Sequence, residues 1–242
     1  MYERNLLVKV EARYYFNSLT SIVKKLPAEL KEALRESLPL YECFDSPPHP
    51  RGEFNVTQKE VSTEHVFTSR DGLWSAQYSS TYMCFTTTAY KSWTEFRTKF
   101  QEAFDPFERI YDVLHITRVG ILYRDILSPS ALGLAGTPWN ELLHPAVLGP
   151  AALFVENANL QHSYVRAKFT LNDVTLQLDC GILGSLENND SYVMDFDFSI
   201  DSMTGLERRE ADAALARCHS FSGSTFQWCL TDKLHDALGP QK

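Results

Sequence analysis

The sequence predicts an α+β fold, an antiparallel sheet or sheets with packed helices, and three observations carry that expectation. Ser-Trp-Thr-Glu at residues 92–95 has the form of a capping box, in which Ser92 accepts from the N–H of Glu95 and the Glu95 side chain returns to Ser92. Trp93, Phe96, Phe100, Phe104, Phe107 and Tyr111 then recur at steps of three and four, one aromatic stripe along a helix. Leu6, Val8, Val10, Ala12, Tyr14 and Phe16 alternate with Leu7, Lys9, Glu11, Arg13 and Tyr15, the period of a half-buried strand. Residues 161–171, 174–183 and 191–201 alternate likewise around an Asn172-Asp173 turn and a 187–190 loop, which reads as an antiparallel meander.

The remaining elements fill in around these. After the first strand, Pro27 suits a first helical turn, and Leu30, Ala33, Leu34 and Leu38 keep helical spacing until Pro39. Residues 46–52, SPPHPRG, predict a surface loop. A Thr- and Val-rich strand at 54–68 turns through 69–72 into a return strand at 74–87, with Trp74, Ala76, Tyr78, Ser80, Tyr82 and Cys84 on one face. Within the aromatic helix, Asp105-Pro106 predicts a restart at an angle, since proline cannot donate to the preceding turn. Residues 115–127 alternate with both faces mixed, the pattern of a central strand. Trp139, Leu142, Leu143 and Val147 sketch a short helix before Gly149-Pro150, and two helices close the chain at 206–221 and 224–238. The loop 128–138, rich in Gly, Pro, Ser and Ala, divides an N-terminal half, 1–128, from a C-terminal half, 139–242, within one compact unit. The order of elements raises the expectation of two related halves, although no residue-level repeat accompanies it.

Composition bounds the function. The 242 residues, 44% hydrophobic and 22% charged, suit an ordinary folded domain with a sizeable core. A net charge of −8 disfavours a broad nucleic-acid or anionic-membrane surface, because phosphate binding needs clustered Lys and Arg. The start Met-Tyr-Glu-Arg lacks a signal pattern and no apolar run nears membrane-spanning length, so a cytoplasmic location with no membrane partner is expected. Cys43, Cys84, Cys180, Cys218 and Cys229 are scattered without CxxC, which predicts reduced core thiols.

Candidate chemistry is sparse. Asp195 and Asp197 share one face of a strand, with Asp179 on its neighbour, an arrangement able to hold a divalent cation or divide acid and base roles. The competing reading is a strand with Met194, Phe196, Phe198 and Ile200 inside and its carboxylates in water, paired with Arg118 or Arg124. The seven histidines show neither HExxH nor His-x-His spacing. Cys218-His219 puts adjacent side chains about 100° apart on a helix, which disfavours a thiolate pair. No phosphate loop or nucleophile elbow is present, so no cofactor or metal is assigned. Tyrosines, including Tyr78, Tyr82 and Tyr123, suit a core or a protein interface better than base stacking in so acidic a chain.

Several segments together resemble a sporadically distributed family of bacterial proteins of uncharacterised function. They are Tyr2, Arg4-Asn5-Leu6 and Val10; Thr87-Thr88-Ala89-Tyr90 with Trp93 and Phe96; Arg118-Val119-Gly120-Ile121-Leu122-Tyr123; Asp195-Phe196-Asp197; and Phe226, Leu230-Thr231, Leu234 and Gly239. Leu7 departs from the pattern, where proline is expected. The family's patchy occurrence implies mobile, defence or toxin-linked genes. The resulting expectation is a non-enzymatic protein-binding component, an immunity, toxin–antitoxin or anti-phage defence (antiviral) subunit. Its partner would be another protein such as a toxin or defence effector, and a strand edge could make a homo-oligomer. Arg118, Tyr123, Arg124, Tyr78 and Tyr82 are its candidate binding residues. The alternatives are a metal-dependent hydrolase or nuclease using Asp179, Asp195 and Asp197, and a nucleotide or nucleic-acid sensor using Arg118, Tyr123 and Arg124.

Overall fold

A computed structural model describes residues 2–19, 22, 28–46, 62–153, 163–183 and 191–240. The SPPHPRG loop, the 187–190 loop and the first residues of the strand expected at 54–68 fall mostly or wholly outside these. The described strands are β1 (Leu7–Phe16), β2 (Leu40–Ser46), β3 (Ser62–Thr68), β4 (Trp74–Tyr78), β5 (Tyr82–Thr87), β6 (Ile116–Leu127), β7 (Tyr164–Leu171), β8 (Val174–Leu183) and β9 (Ser191–Leu206). The helices are α1 (Ala28–Leu34), α2 (Trp93–Tyr111), α3 (Pro145–Leu148), α4 (Arg208–Ser220), α5 (Ser222–Cys229) and α6 (Asp232–Leu238). All nine strands join one antiparallel sheet in the order β2-β3-β4-β5-β1-β6-β9-β8-β7. An α+β fold with a large antiparallel sheet is therefore the architecture. After β1, and again after β6, the chain passes through helical residues to an outermost strand and returns by a meander. β6 is an interior strand, as its mixed faces predict.

Two compact units are built from separated segments: Met1–Val10, Ile121–Ile200 and Ala216–Lys242 form one, Glu11–Gly120 and Asp201–Leu215 the other. In the second unit the aromatic stripe of α2 lies on the sheet. Phe100 and Phe104 meet Tyr14 edge-on at 4.8 and 5.1 Å, Phe107 meets Phe16 and Tyr78, and Phe96 meets Phe85 and Trp74. Each of these rings other than the half-buried Trp74 contributes about 1.5–3 kcal/mol by leaving water. In the first unit Tyr192, Met194, Phe196 and Phe198 of β9 and Leu176, Leu178 and Cys180 of β8 form the core face. The Tyr192 hydroxyl donates to the Val147 carbonyl of α3, and Phe196 meets Phe226 of α5.

Local chemistry explains where elements begin and end. Ser92 caps α2 by accepting from the Glu95 N–H at 3.2 Å, and Asp112 closes it in the left-handed region at φ 53°. The return strand expected at 74–87 is instead two strands. Ser79 is fully buried, and its hydroxyl accepts from the N–H groups of Thr81 and Tyr82, a side-chain turn that reverses the chain. The reversal puts Tyr82 and Cys84 on the face opposite Trp74, Ala76 and Tyr78. The last expected helix is likewise two, because the Thr231 hydroxyl takes the Leu234 N–H and starts α6 afresh after Leu230. β2 carries no alternation that marks it, and only its pairing with β3 makes it a strand.

The restart expected at Pro106 does not occur, and α2 runs through it for 19 residues. An interior proline costs about 3 kcal/mol, yet a restart would rotate Phe107 and Tyr111 off the buried stripe. Two contacts hold the helix across the break. The Tyr78 hydroxyl donates to the Ala103 carbonyl at 2.8 Å, and Arg208 reaches Asp105 at 2.9 Å and Glu108 at 3.1 Å, on either side of Pro106. Arg208 also pairs with Asp212, which accepts from the Tyr14 hydroxyl. Replacing Pro106 by Ala should stabilise the protein by about 1–2 kcal/mol, the restored helix bond less the greater freedom of the unfolded chain. Urea unfolding measures it, and a loss of stability would show that Asp105-Pro106 begins a separate helix.

Candidate functional site

Because side chains alternate across a strand, each helix-covered residue leaves its neighbours on the opposite face. In the first unit that face is built from odd-numbered residues of β8 and β9 and even-numbered ones of β6 and β7. Registry places Arg166 opposite Asp179, and Asp179 opposite Asp195. Arg124 of β6 reaches Asp195 with two bonds, Nε to Oδ1 at 2.7 Å and Nη2 to Oδ2 at 2.6 Å. Arg166 holds Asp179 in the same two-pronged way, at 2.6 and 3.2 Å. Asp179 also accepts from the Tyr164 hydroxyl at 2.6 Å and from Gln177 at 2.9 Å. The result is a row of four charges across four strands, Arg166, Asp179, Asp195 and Arg124.

Electrostatics account for this row. Two carboxylates directly opposite one another repel, and a forked guanidinium on each outer side offsets that repulsion. Burial pushes the Asp179 carboxyl up, but Arg166, Tyr164 and Gln177 together outweigh it and hold it below the usual carboxylate range. The bonds to Asp195 raise Arg124 further above its ordinary value. The carboxylates are recessed, their side chains 18% and 17% exposed, while those of Arg166 and Arg124 are 59% and 41% exposed. Tyr164 is half exposed, with the Arg166 guanidinium 5.5 Å from its ring centre. This face therefore offers arginine and tyrosine to its surroundings, with acids beneath.

Asp179 and Asp195 are brought together as the register of the strands requires, and Asp197 lies opposite Gln177. The oxygens of Asp179 and Asp195 face donors. Among the described residues no group of three His, Cys, Asp or Glu side chains is arranged to hold a metal ion. Arg118 pairs with Asp201 at 3.4 Å and sits 6.0 Å from the Tyr15 ring centre, in the second unit. Tyr82, also there, is buried beside Tyr15, donating to Glu64 and accepting from Gln77. Tyr78 and Tyr123 lie on the helix-covered face, Tyr78 bonded to Ala103 and Tyr123 sharing a hydrogen bond with His219 Nδ1 at 2.7 Å. That bond occupies the histidine next to Cys218, whose thiol burial pushes up to about 12. A thiolate nucleophile is not supported there. Cys84, Cys180 and Cys229 are also buried free thiols, and Cys43 is exposed.

Sequence reasoning missed Arg166 and Tyr164, although both alternate with apolar residues on the strand that faces Asp179. It also missed Asp125, which falls in step with Val119, Ile121, Tyr123 and Leu127 on the helix-covered face of β6 and is buried. No helix among the described residues is long and apolar enough to cross a membrane. No protein-family model matches the chain, and no curated protein is significantly similar to it.

Asp125 gives the first unit a pH dependence. Burial, then the nearby Asp195 charge, raises its carboxyl to about 7. A folded pKa above the unfolded one contributes stability that is full below about pH 4 and is lost as pH rises through about 7. Buried His65 and half-buried His219, whose pKa values are lowered by desolvation, act oppositely and lose stability as pH falls below about 6.5. Asp125→Asn should therefore remove the decline between about pH 4 and 7 and leave the protein on the order of 3 kcal/mol more stable than wild type at pH 8, relative to pH 4. Denaturant unfolding across that range tests it; parallel curves for the two proteins would refute it.

Proposed function

We propose that this chain is a non-enzymatic protein-binding component whose contact surface is the sheet face carrying Tyr164, Arg166 and Arg124. One observation carries the reading: Tyr164, 52% exposed, lies against an equally accessible Arg166 on a face that no described helix covers. Tyr and Arg are the residues in which binding hot spots are enriched, and both are held here in fixed orientation by Asp179. The occupied carboxylates support binding over metal-dependent hydrolysis, because Arg124 and Arg166 take the positions a cation would need. The family resemblance favours a bacterial immunity, toxin–antitoxin or anti-phage defence setting, with a toxin or defence effector as partner. The repeated order of strands supports two related halves, and an alignment of relatives, first half against second, would test that relation.

Purification from the native host should recover a stoichiometric protein partner. Tyr164→Ala should weaken its binding by on the order of tenfold or more without altering the fold. A lone chain, or a partner indifferent to Tyr164, would sink the proposal. Calorimetry with Mg²⁺ or Mn²⁺ provides the opposing arm: binding heat lost in Asp195→Ala would favour the hydrolase instead.

A further inference from the structure

The sheet ends in two edge strands, β2 and β7, and their side chains guard them differently. β7 carries Arg166 and Lys168 on one face. Two copies pairing antiparallel through β7 would set Arg166 against Lys168 or either residue against itself in every well-overlapped register, which is a common way to block edge-to-edge association. β2, Leu-Tyr-Glu-Cys-Phe-Asp-Ser, has no Lys, Arg or Pro, and no described strand pairs with its outer edge. It also exposes two large apolar side chains on one face, Leu40 at 51% and Phe44 at 47%. Large exposed apolar residues on an unguarded edge are what a strand partner covers.

We propose that β2 is a homodimer interface, pairing antiparallel with β2 of a second copy about a two-fold axis at Cys43. Only this register pairs all seven residues of β2 with seven of the other copy, Leu40 with Ser46, Tyr41 with Asp45, Glu42 with Phe44, and Cys43 with itself. It sets neither acid of the strand directly opposite a like charge. The register centred on Glu42 puts two carboxylates face to face, and the one centred on Phe44 carries Tyr41 and Leu40 beyond the opposing strand. Charge also complements: the Lys31 ammonium lies 3.6 Å from the centre of the Tyr41 ring, and Asp45 of the second copy would arrive opposite that tyrosine. A two-fold interface closes on itself, so a dimer forms rather than a fibre. One strand's length of pairing is a small interface, with a Kd on the order of 1–100 µM. This association does not involve Tyr164, so it stands or falls apart from the binding role of the other face.

Cys43 reports the register, because the other four cysteines are buried and directly opposed residues of an antiparallel pair have Cα atoms at disulfide distance. Diamide would take one hydrogen from each of two Cys43 thiols, forming the disulfide and being reduced to the hydrazine. The expected results are a monomer–dimer equilibrium in sedimentation, a diamide-linked dimer in wild type, and none in Cys43→Ser. Phe44→Lys, at an exposed position, should keep the circular dichroism spectrum and raise Kd on the order of 100-fold. A monomer at about 500 µM, well above the expected Kd, would overturn the proposal. A dimer that neither cross-links through Cys43 nor responds to Phe44→Lys would overturn it equally.

Discussion

Five aromatic rings on one helix leave water, and the placement of most other side chains in the second unit follows from where they go. Phe96, Phe100, Phe104 and Phe107 are fully buried against β1, β4 and β5, so the even residues of β1 and β4 and the odd residues of β5 face α2. A strand has only two faces. Once the rings have taken one, Glu11, Arg13, Glu64 and Gln77 are confined to the other, and their hydrogen bonds and ion pairs form there. The same constraint overrides proline: a break at Pro106 would save a local cost of about 3 kcal/mol and expose two aromatic rings worth at least as much.

That balance also explains what could be read from the sequence. Regular periods were legible: the stripe of α2, the alternation of β1 and the β7–β8 hairpin, whose Asn172 takes the left-handed conformation at φ 58°. Breaks in the periods were less so. The Ser79 turn interrupts a run that still alternates, and the reversal moves Tyr82 and Cys84 to the face opposite Tyr78. Thr231 breaks a helical pattern through one hydroxyl bond. β2 was illegible because an outer edge strand buries little, and its pairing with β3 depends on a neighbour distant in sequence.

The charged row was half legible for a related reason. Asp195 and Asp197 share a face by the period of a strand alone, and Asp179 joins them through the antiparallel pairing of β8 with β9. Arg118 and Arg124 were both legible as partners for the acids, and Arg124 does hold Asp195 while Arg118 goes to Asp201; choosing between them required knowing that β6 lies beside β9, a matter of strand order. Arg166 required seeing that two opposed acids on inner strands leave a charge to be balanced on the outer one. The pairing changes the chemistry from acid cluster to arginine surface: the carboxylates end recessed at 17–18% exposure and the guanidiniums end outside.

The guard on one edge of the sheet is tied to that same row. Arg166 neutralises Asp179 across the strand and, on the edge itself, makes β7 repel its own copy. A lysine two residues on, at Lys168, extends the repulsion over the middle of the strand. β2 has acids at Glu42 and Asp45 instead, spaced by three and therefore on opposite faces, so neither face gathers a block of like charge. One edge thus combines net positive charge with cross-strand pairing, and the other combines exposed apolar groups with separated acids. The difference follows from side-chain parity along two short strands, and it directs the proposed self-association to the β2 edge.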